Sequence, residues 1–170
     1  MIPCKASKEK LYSHVAVNFF MPHIRAVFSL PLKGREMKLI TAQSERMLLA
    51  YDIARVVYAE TNAKSLRVVE ALTSMISNRA KKNNIHIRNV ISDSAMFESL
   101  NDDSVRHEYL NVDSKRHDFQ MCVRVAIRML HENLPDMCRG ATMFHRTENL
   151  PSWAIARGYI SDIDGILFYA

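Results

Sequence analysis

The sequence predicts an α+β fold, mostly helical, with a small antiparallel β-sheet near the C-terminus. Three observations lead there. Apolar residues recur at helical spacing in three stretches before residue 133, the pattern turns to short extended runs after Gly140, and capping or turn residues stand at the joints. With 170 residues, 48% hydrophobic and 24% charged, and only 4 Gly and 5 Pro, the chain is suited to bury one core.

Taken in order, residues 1–40 mix Pro, Lys and short apolar patches without a sustained period and read as an N-terminal tail or a loosely docked arm. Residues 41–170 form the expected domain. Thr41 or Ser44 can cap a helix running to about residue 61, in which Leu49, Ile53, Val56 and Glu60 follow at steps of 4, 3 and 4. This places a carboxylate on the apolar stripe. Ser65 opens a second helix to about residue 81, with Leu66, Val69, Leu72 and Ile76 facing inward, Arg79, Lys81 and Lys82 near its C-terminal dipole, and Asn83-Asn84 ending it. A short helix is expected near Val90, and residues 102–118 read as a polar insertion without a clear period. A third strong helix, residues 118–133, carries Phe119, Val123, Ala126 and Leu130 on one face and stops at Leu134-Pro135. Residues 141–145, 158–161 and 165–169 read as strands, the last two joined by a turn over 162–165.

The net charge of +5 favours polyanions in general. The basic runs at residues 5–10, 33–38 and 79–82 lack the aromatic interleaving of a base-stacking groove, so no nucleic-acid partner is expected. Cys4, Cys122 and Cys138 make neither a disulfide framework nor a C-x-x-C pair, and they read as reduced, packed thiols. His117, Cys138 and His145 match no zinc-ligand spacing, so neither metal nor cofactor is expected. No run approaches the ~18 to 20 apolar residues of a membrane span. Lys5, Lys8 and Lys10 precede apolar stretches at residues 15–21 and 24–32, but Asn18, Pro22, His23 and Arg25 interrupt them and no small-x-small cleavage site follows. A clear signal peptide is therefore not read. A monomer is expected.

The chemistry gathers at Glu60. It stands on the core-facing stripe, just before the helix gives way to loop, where both burial and the negative end of the helix dipole disfavour the charged form. A carboxylic acid kept neutral in this way can protonate a departing glycosidic oxygen. Most glycosidases use a second carboxylate, for which Glu70, Glu98, Asp102 and Asp103 are the candidates. An internal sugar hydroxyl attacking its own anomeric carbon would replace that second group by effective concentration, leaving one glutamate to act first as acid and then as base. No G-x-S-x-G elbow, Walker loop or G-x-G-x-x-G run is present.

Several separated stretches together resemble the SleB-like cell wall hydrolases. They are Ala54-Arg55-Val56-Val57-Tyr58-Ala59-Glu60, Met75-Ile76-Ser77-Asn78-Arg79, Val90-Ile91 with Phe97-Glu98, Gly140-Ala141-Thr142-Met143-Phe144-His145, and Pro151-Ser152-Trp153-Ala154 with the closing Phe168-Tyr169. The resemblance covers about residues 45–169 in the family's order. It implies a lysozyme-like fold, peptidoglycan glycan strands as substrate, cleavage of the MurNAc-GlcNAc bond as a lytic transglycosylase or muramidase, no cofactor, and a place of action in the cell envelope or periplasm. It also implies Glu60 as the catalytic residue. Phe97, Glu98, His145, Trp153 and Tyr159 are the substrate-binding candidates: the aromatic rings as an apolar wall for sugar, and His145 as a hydrogen-bonding group toward substrate or Glu60.

Two departures stand out. Where the family continues Ala-Arg-Gly-Glu after its glutamate, this chain has Thr61-Asn62-Ala63-Lys64, and the family's closing histidine is replaced by Ile166. The alternative readings are a basic binding module that docks on wall polymer or nucleic acid without cleaving it, and an inactive member of the family.

Overall fold

The computed structural model describes Ile40 and residues 44–170, all within one compact unit. The expected tail or arm of residues 1–40, the signal-like stretch and Cys4 lie outside the described residues, apart from Ile40 itself. Four helices, α1 (Glu45–Thr61), α2 (Leu66–Asn83), α3 (Ile87–Ile91) and α4 (His117–Leu130), precede three strands, β1 (Met143–Arg146), β2 (Tyr159–Ile163) and β3 (Ile166–Tyr169). Short 3-10 turns at Glu98–Leu100, His107–Asn111 and Ser152–Ala156 fill the connections. This is the α+β order that the change of period predicts.

Helix α1 is the centre of the domain. Ser44 caps it by accepting the Met47 amide hydrogen, and the predicted stripe is buried as expected at Leu49, Ile53, Val56 and Glu60. The other faces are covered too: Ala50, Ala54 and Ala59 are fully buried, and α2, α3 and α4 all pack against α1. Small side chains let neighbours approach from several sides, which a single-stripe reading does not anticipate. Phe119 of α4 wedges between Tyr51 and Tyr58 of α1, with ring centroids 5.6 and 6.0 Å away in edge-on geometry. Gln120, also fully buried, accepts the Ile40 amide hydrogen at 3.0 Å and donates to the Ser114 carbonyl at 2.8 Å, so it ties Ile40 to α4.

Helix α4 ends at Leu130, three residues short of the expected stop. The chain closes on itself there through Glu132 in the left-handed region (φ 58°), with the Asn133 amide donating to the Arg128 carbonyl. Helix α2 continues to Asn83 with Asn84 as its left-handed cap, where the Asn83-Asn84 pair is expected to end it, and Asn78 and Arg79 sit inside it. Their polar ends serve tertiary contacts: Arg79 pairs with Asp93 at 3.3 Å and reaches the Thr142 carbonyl, anchoring α2 to the loop after α3 and to the start of β1.

The sheet is antiparallel in the order β1-β3-β2, with His145 opposite Leu167 and Arg146 opposite Ile166. Asp164 (φ 53°) and Gly165 (φ 83°) form the two-residue turn between β2 and β3, and Asp162 accepts the Gly165 amide hydrogen.

The departure after Glu60 also has a structural reading. Asn62 caps α1 in the left-handed region, and Ala63 follows at φ 48°, the position where the resembling family carries glycine. An alanine there is strained by about 1 to 2 kcal/mol, partly offset by the extra freedom glycine has when unfolded. Ala63→Gly is therefore expected to stabilise the protein by about 0.5 to 1 kcal/mol, read as a rise in the denaturant midpoint without a change in slope.

Candidate active site

The C-terminal turn of α1, the loop through residues 94–101, strand β1 and the loop before Trp153 converge on one cleft of about 210 Å³. Glu60 lies at its inner end, with 1% of its surface exposed. One carboxylate oxygen, Oε1, accepts the Ser99 amide hydrogen at 2.8 Å. The other, Oε2, is paired with Arg146 Nη2 at 2.7 Å, and the same nitrogen also donates to the Glu60 main-chain carbonyl. Glu60 is thus as dry as the sequence predicts. It does not stand alone, because the buried Arg146 guanidinium pairs with it.

A second tier of charge surrounds this pair. Arg146 Nε lies 3.7 Å from Glu98 Oε2, and Arg106 Nε lies 3.9 Å from the same oxygen. Arg106 Nη1 donates to the Ala59 carbonyl at 3.1 Å, one of the acceptors left free at the end of α1. Burial, and then the neighbouring Arg146 charge, hold the Arg106 guanidinium below the usual arginine range, against the opposing pull of Glu60 and Glu98.

Of the sequence-predicted site residues, Glu60, Glu98, His145 and Trp153 line this cleft together. Glu98 turns a half-exposed carboxylate into it and accepts the Ser104 hydroxyl at 3.2 Å. His145 has both ring nitrogens engaged: Nδ1 faces the Arg146 carbonyl at 2.7 Å and so carries a proton, while Nε2 meets the Tyr169 hydroxyl at 3.0 Å. It therefore does not orient Glu60. Its ring stacks on Tyr169 and meets Trp153 edge-on, forming one aromatic wall of the cleft.

Two of the predicted residues stand elsewhere. Phe97 is fully buried against Phe144, with centroids 5.6 Å apart, and reaches no cleft surface. It belongs to the core because the backbone around it turns Glu98 outward and the ring inward. Tyr159 is 57% exposed on β2, packs its edge on Tyr169 and does not line the cleft. Among the other candidate carboxylates, Glu70 is taken up by Arg128 at 2.5 Å. Asp102 stands out in solvent, 3.8 Å from His107.

Sequence reasoning missed Arg146, Arg106 and the Ser99 amide. A buried carboxylate needs a partner. Arg146, directly after the matched His145, is open to that argument. The Ser99 amide and Arg106 come from the stretches without period, where no pattern announces them. Cys122 and Cys138 are buried free thiols, and burial pushes Cys122 up to about 12, far from a reactive thiolate. Among the described residues no group of three or more His, Cys, Asp or Glu gathers in metal-binding range, and no helix is long and apolar enough to cross a membrane.

Comparison with known proteins bears on this site. No curated protein sequence matches the chain. A solved structure, the catalytic domain of the germination-specific lytic transglycosylase SleB from Bacillus anthracis, superposes with a TM-score of 0.57 at 18% identity, covering 78% of this chain and 100% of that one. The shared fold extends over that whole catalytic domain. A family model described as cell wall hydrolase matches residues 68–169, a stretch that contains Glu98, His145, Arg146 and Trp153 and begins just after Glu60. That stretch is more than half of the chain, and the protein belongs to the cell wall hydrolase family.

Proposed function

We propose that this enzyme cleaves the glycan strands of peptidoglycan at the MurNAc-GlcNAc bond, as a lytic transglycosylase, with Glu60 as the single acid and base. The observation that carries the proposal is the dry Glu60 carboxyl at the inner end of a cleft walled by His145 and Trp153. Family membership and the fold shared with a lytic transglycosylase catalytic domain support it.

In the first step the protonated Glu60 gives its proton to the glycosidic oxygen, the C1–O bond breaks with its electrons going to that oxygen, and the leaving GlcNAc departs with a new hydroxyl. In the second step the muramic acid O6 hydroxyl attacks C1, and its proton returns to Glu60. The acid is regenerated without net exchange with solvent. Proximity of O6 to its own anomeric carbon stands in for a second carboxylate. The reaction takes place in the cell envelope, on wall glycan.

One observation favours a second reading, hydrolysis by a muramidase: Glu98 lines the same cleft and is the one other carboxylate there among the described residues. Mass spectrometry of digested glycan separates the two. Transglycosylation leaves 1,6-anhydromuramic ends, and Glu98→Gln should keep producing them. Reducing muramic ends, lost in Glu98→Gln, would give the second reading instead.

A further inference from the structure

The charge arrangement around Glu60 goes beyond what an acid in a cleft requires. A single nitrogen of Arg146 ties the carboxylate of Glu60 to that residue's own carbonyl, closing a loop through the side chain. A side chain held at both ends by one donor is confined to a narrow set of rotamers. Nε of the same guanidinium makes no hydrogen bond among the described residues, and it lies 3.7 Å from the half-exposed Glu98. The Arg146 side chain is 9% exposed, so its contact with Glu60 is little screened by water.

We propose that Arg146 is a positioning residue for Glu60, fixing the carboxyl in its working geometry and carrying the countercharge while that group is ionised between the two half-reactions. The Glu98 carboxylate, 3.7 Å from Arg146 Nε, faces the same guanidinium from the cleft side. The proposal rests on the reading of Glu60 as acid and base. Glu60 ends the first step as a carboxylate and begins the second as one, so a fixed positive partner lowers the energy of the state through which both steps pass.

The charged and titratable groups facing Glu60 are Arg146 and His145 from β1, Glu98 from the 3-10 turn Glu98–Leu100, and Arg106 from the following loop. Lys64, Glu148 and Asp164 line a small recess behind it. Arg146 makes the direct charge contact with the carboxylate.

The test uses the full chain acting on purified wall glycan, with kcat, KM, pH profile and thermal unfolding measured for Arg146→Lys, Arg146→Met, Glu98→Gln and Glu60→Gln. Lysine keeps the charge but puts it on a flexible stem without the planar, preorganised guanidinium, so kcat should fall about 10- to 100-fold with KM within about threefold and the pH profile unmoved. Methionine removes the charge as well, so the alkaline limb of the profile should move to higher pH, and Glu98→Gln should move it to lower pH. A merely structural arginine would lower the melting temperature and leave these profiles in place. Two results would overturn the proposal: a kcat for Arg146→Lys within about threefold of the parent, or an unmoved pH profile in both Arg146→Met and Glu98→Gln while Glu60→Gln is inactive. Activity persisting in Glu60→Gln would instead remove the reading of Glu60 on which the proposal rests. If Arg146→Met does not fold, Arg146→Lys and Glu98→Gln, the latter at a half-exposed position, decide by the same criteria.

Discussion

Glu60→Gln is expected to lower kcat for glycan cleavage by about a thousandfold or more, the scale of a lost general acid–base group, while the protein stays folded. The amide matches the carboxyl in shape and can still accept the Ser99 amide hydrogen through its oxygen. What it cannot do is release a proton to a leaving oxygen or take one from O6. Its NH2 group would then face the Arg146 guanidinium, donor against donor, where Oε2 now accepts. Some stability is therefore lost along with activity. The loss is softened because Glu98 lies within 3.7 Å to share the guanidinium charge. Turnover on wall glycan together with a thermal melt reads both effects.

Arg146→Met should produce the largest change in stability, about 3 to 5 kcal/mol, because it strands a buried carboxylate. Glu60 is 1% exposed, and without Arg146 its Oε2 has no charged donor in contact among the described residues. The double variant Glu60→Gln with Arg146→Met removes both charges together. Its destabilisation should be smaller than the sum of the two single effects by about 1 to 3 kcal/mol, the signature of directly coupled partners. Urea unfolding of the four proteins measures this. Strict additivity would mean that the pair seen at 2.7 Å contributes no coupling to stability.

Much of this architecture is legible in the residues alone, for reasons that differ from element to element. Ser44 and Ser65 cap their helices as their side-chain chemistry dictates, and the Leu49, Ile53, Val56, Glu60 stripe carries the decisive residue to the right place. The Asp164-Gly165 turn needs two residues at positive φ, and that pair of residue types suits it. Less legible are features that depend on contacts between distant segments. Phe97 and Glu98 are adjacent in the chain, yet one enters the core and the other the cleft, and the irregular backbone there has no period from which to tell them apart. Arg146 meets Glu60 across 86 positions of sequence, so the pairing appears only once β1 is laid beside the end of α1.

The cleft also explains why Glu60 can stand so deep. Ser99 supplies a main-chain donor, Arg146 the opposite charge, and Arg106 covers the neighbouring carbonyl of Ala59, so the polar groups at the end of α1 are met one by one. A buried carboxylate without such partners would be too costly to keep.

If glycan cleavage runs through the Glu60 carboxyl, mass spectrometry of wall glycan incubated with the parent protein and with folded Glu60→Gln tests it at the reacting group itself. Fragments with 1,6-anhydromuramic ends should come from the parent and none from the variant. Equal release of the same fragments by both proteins would take the reaction away from Glu60.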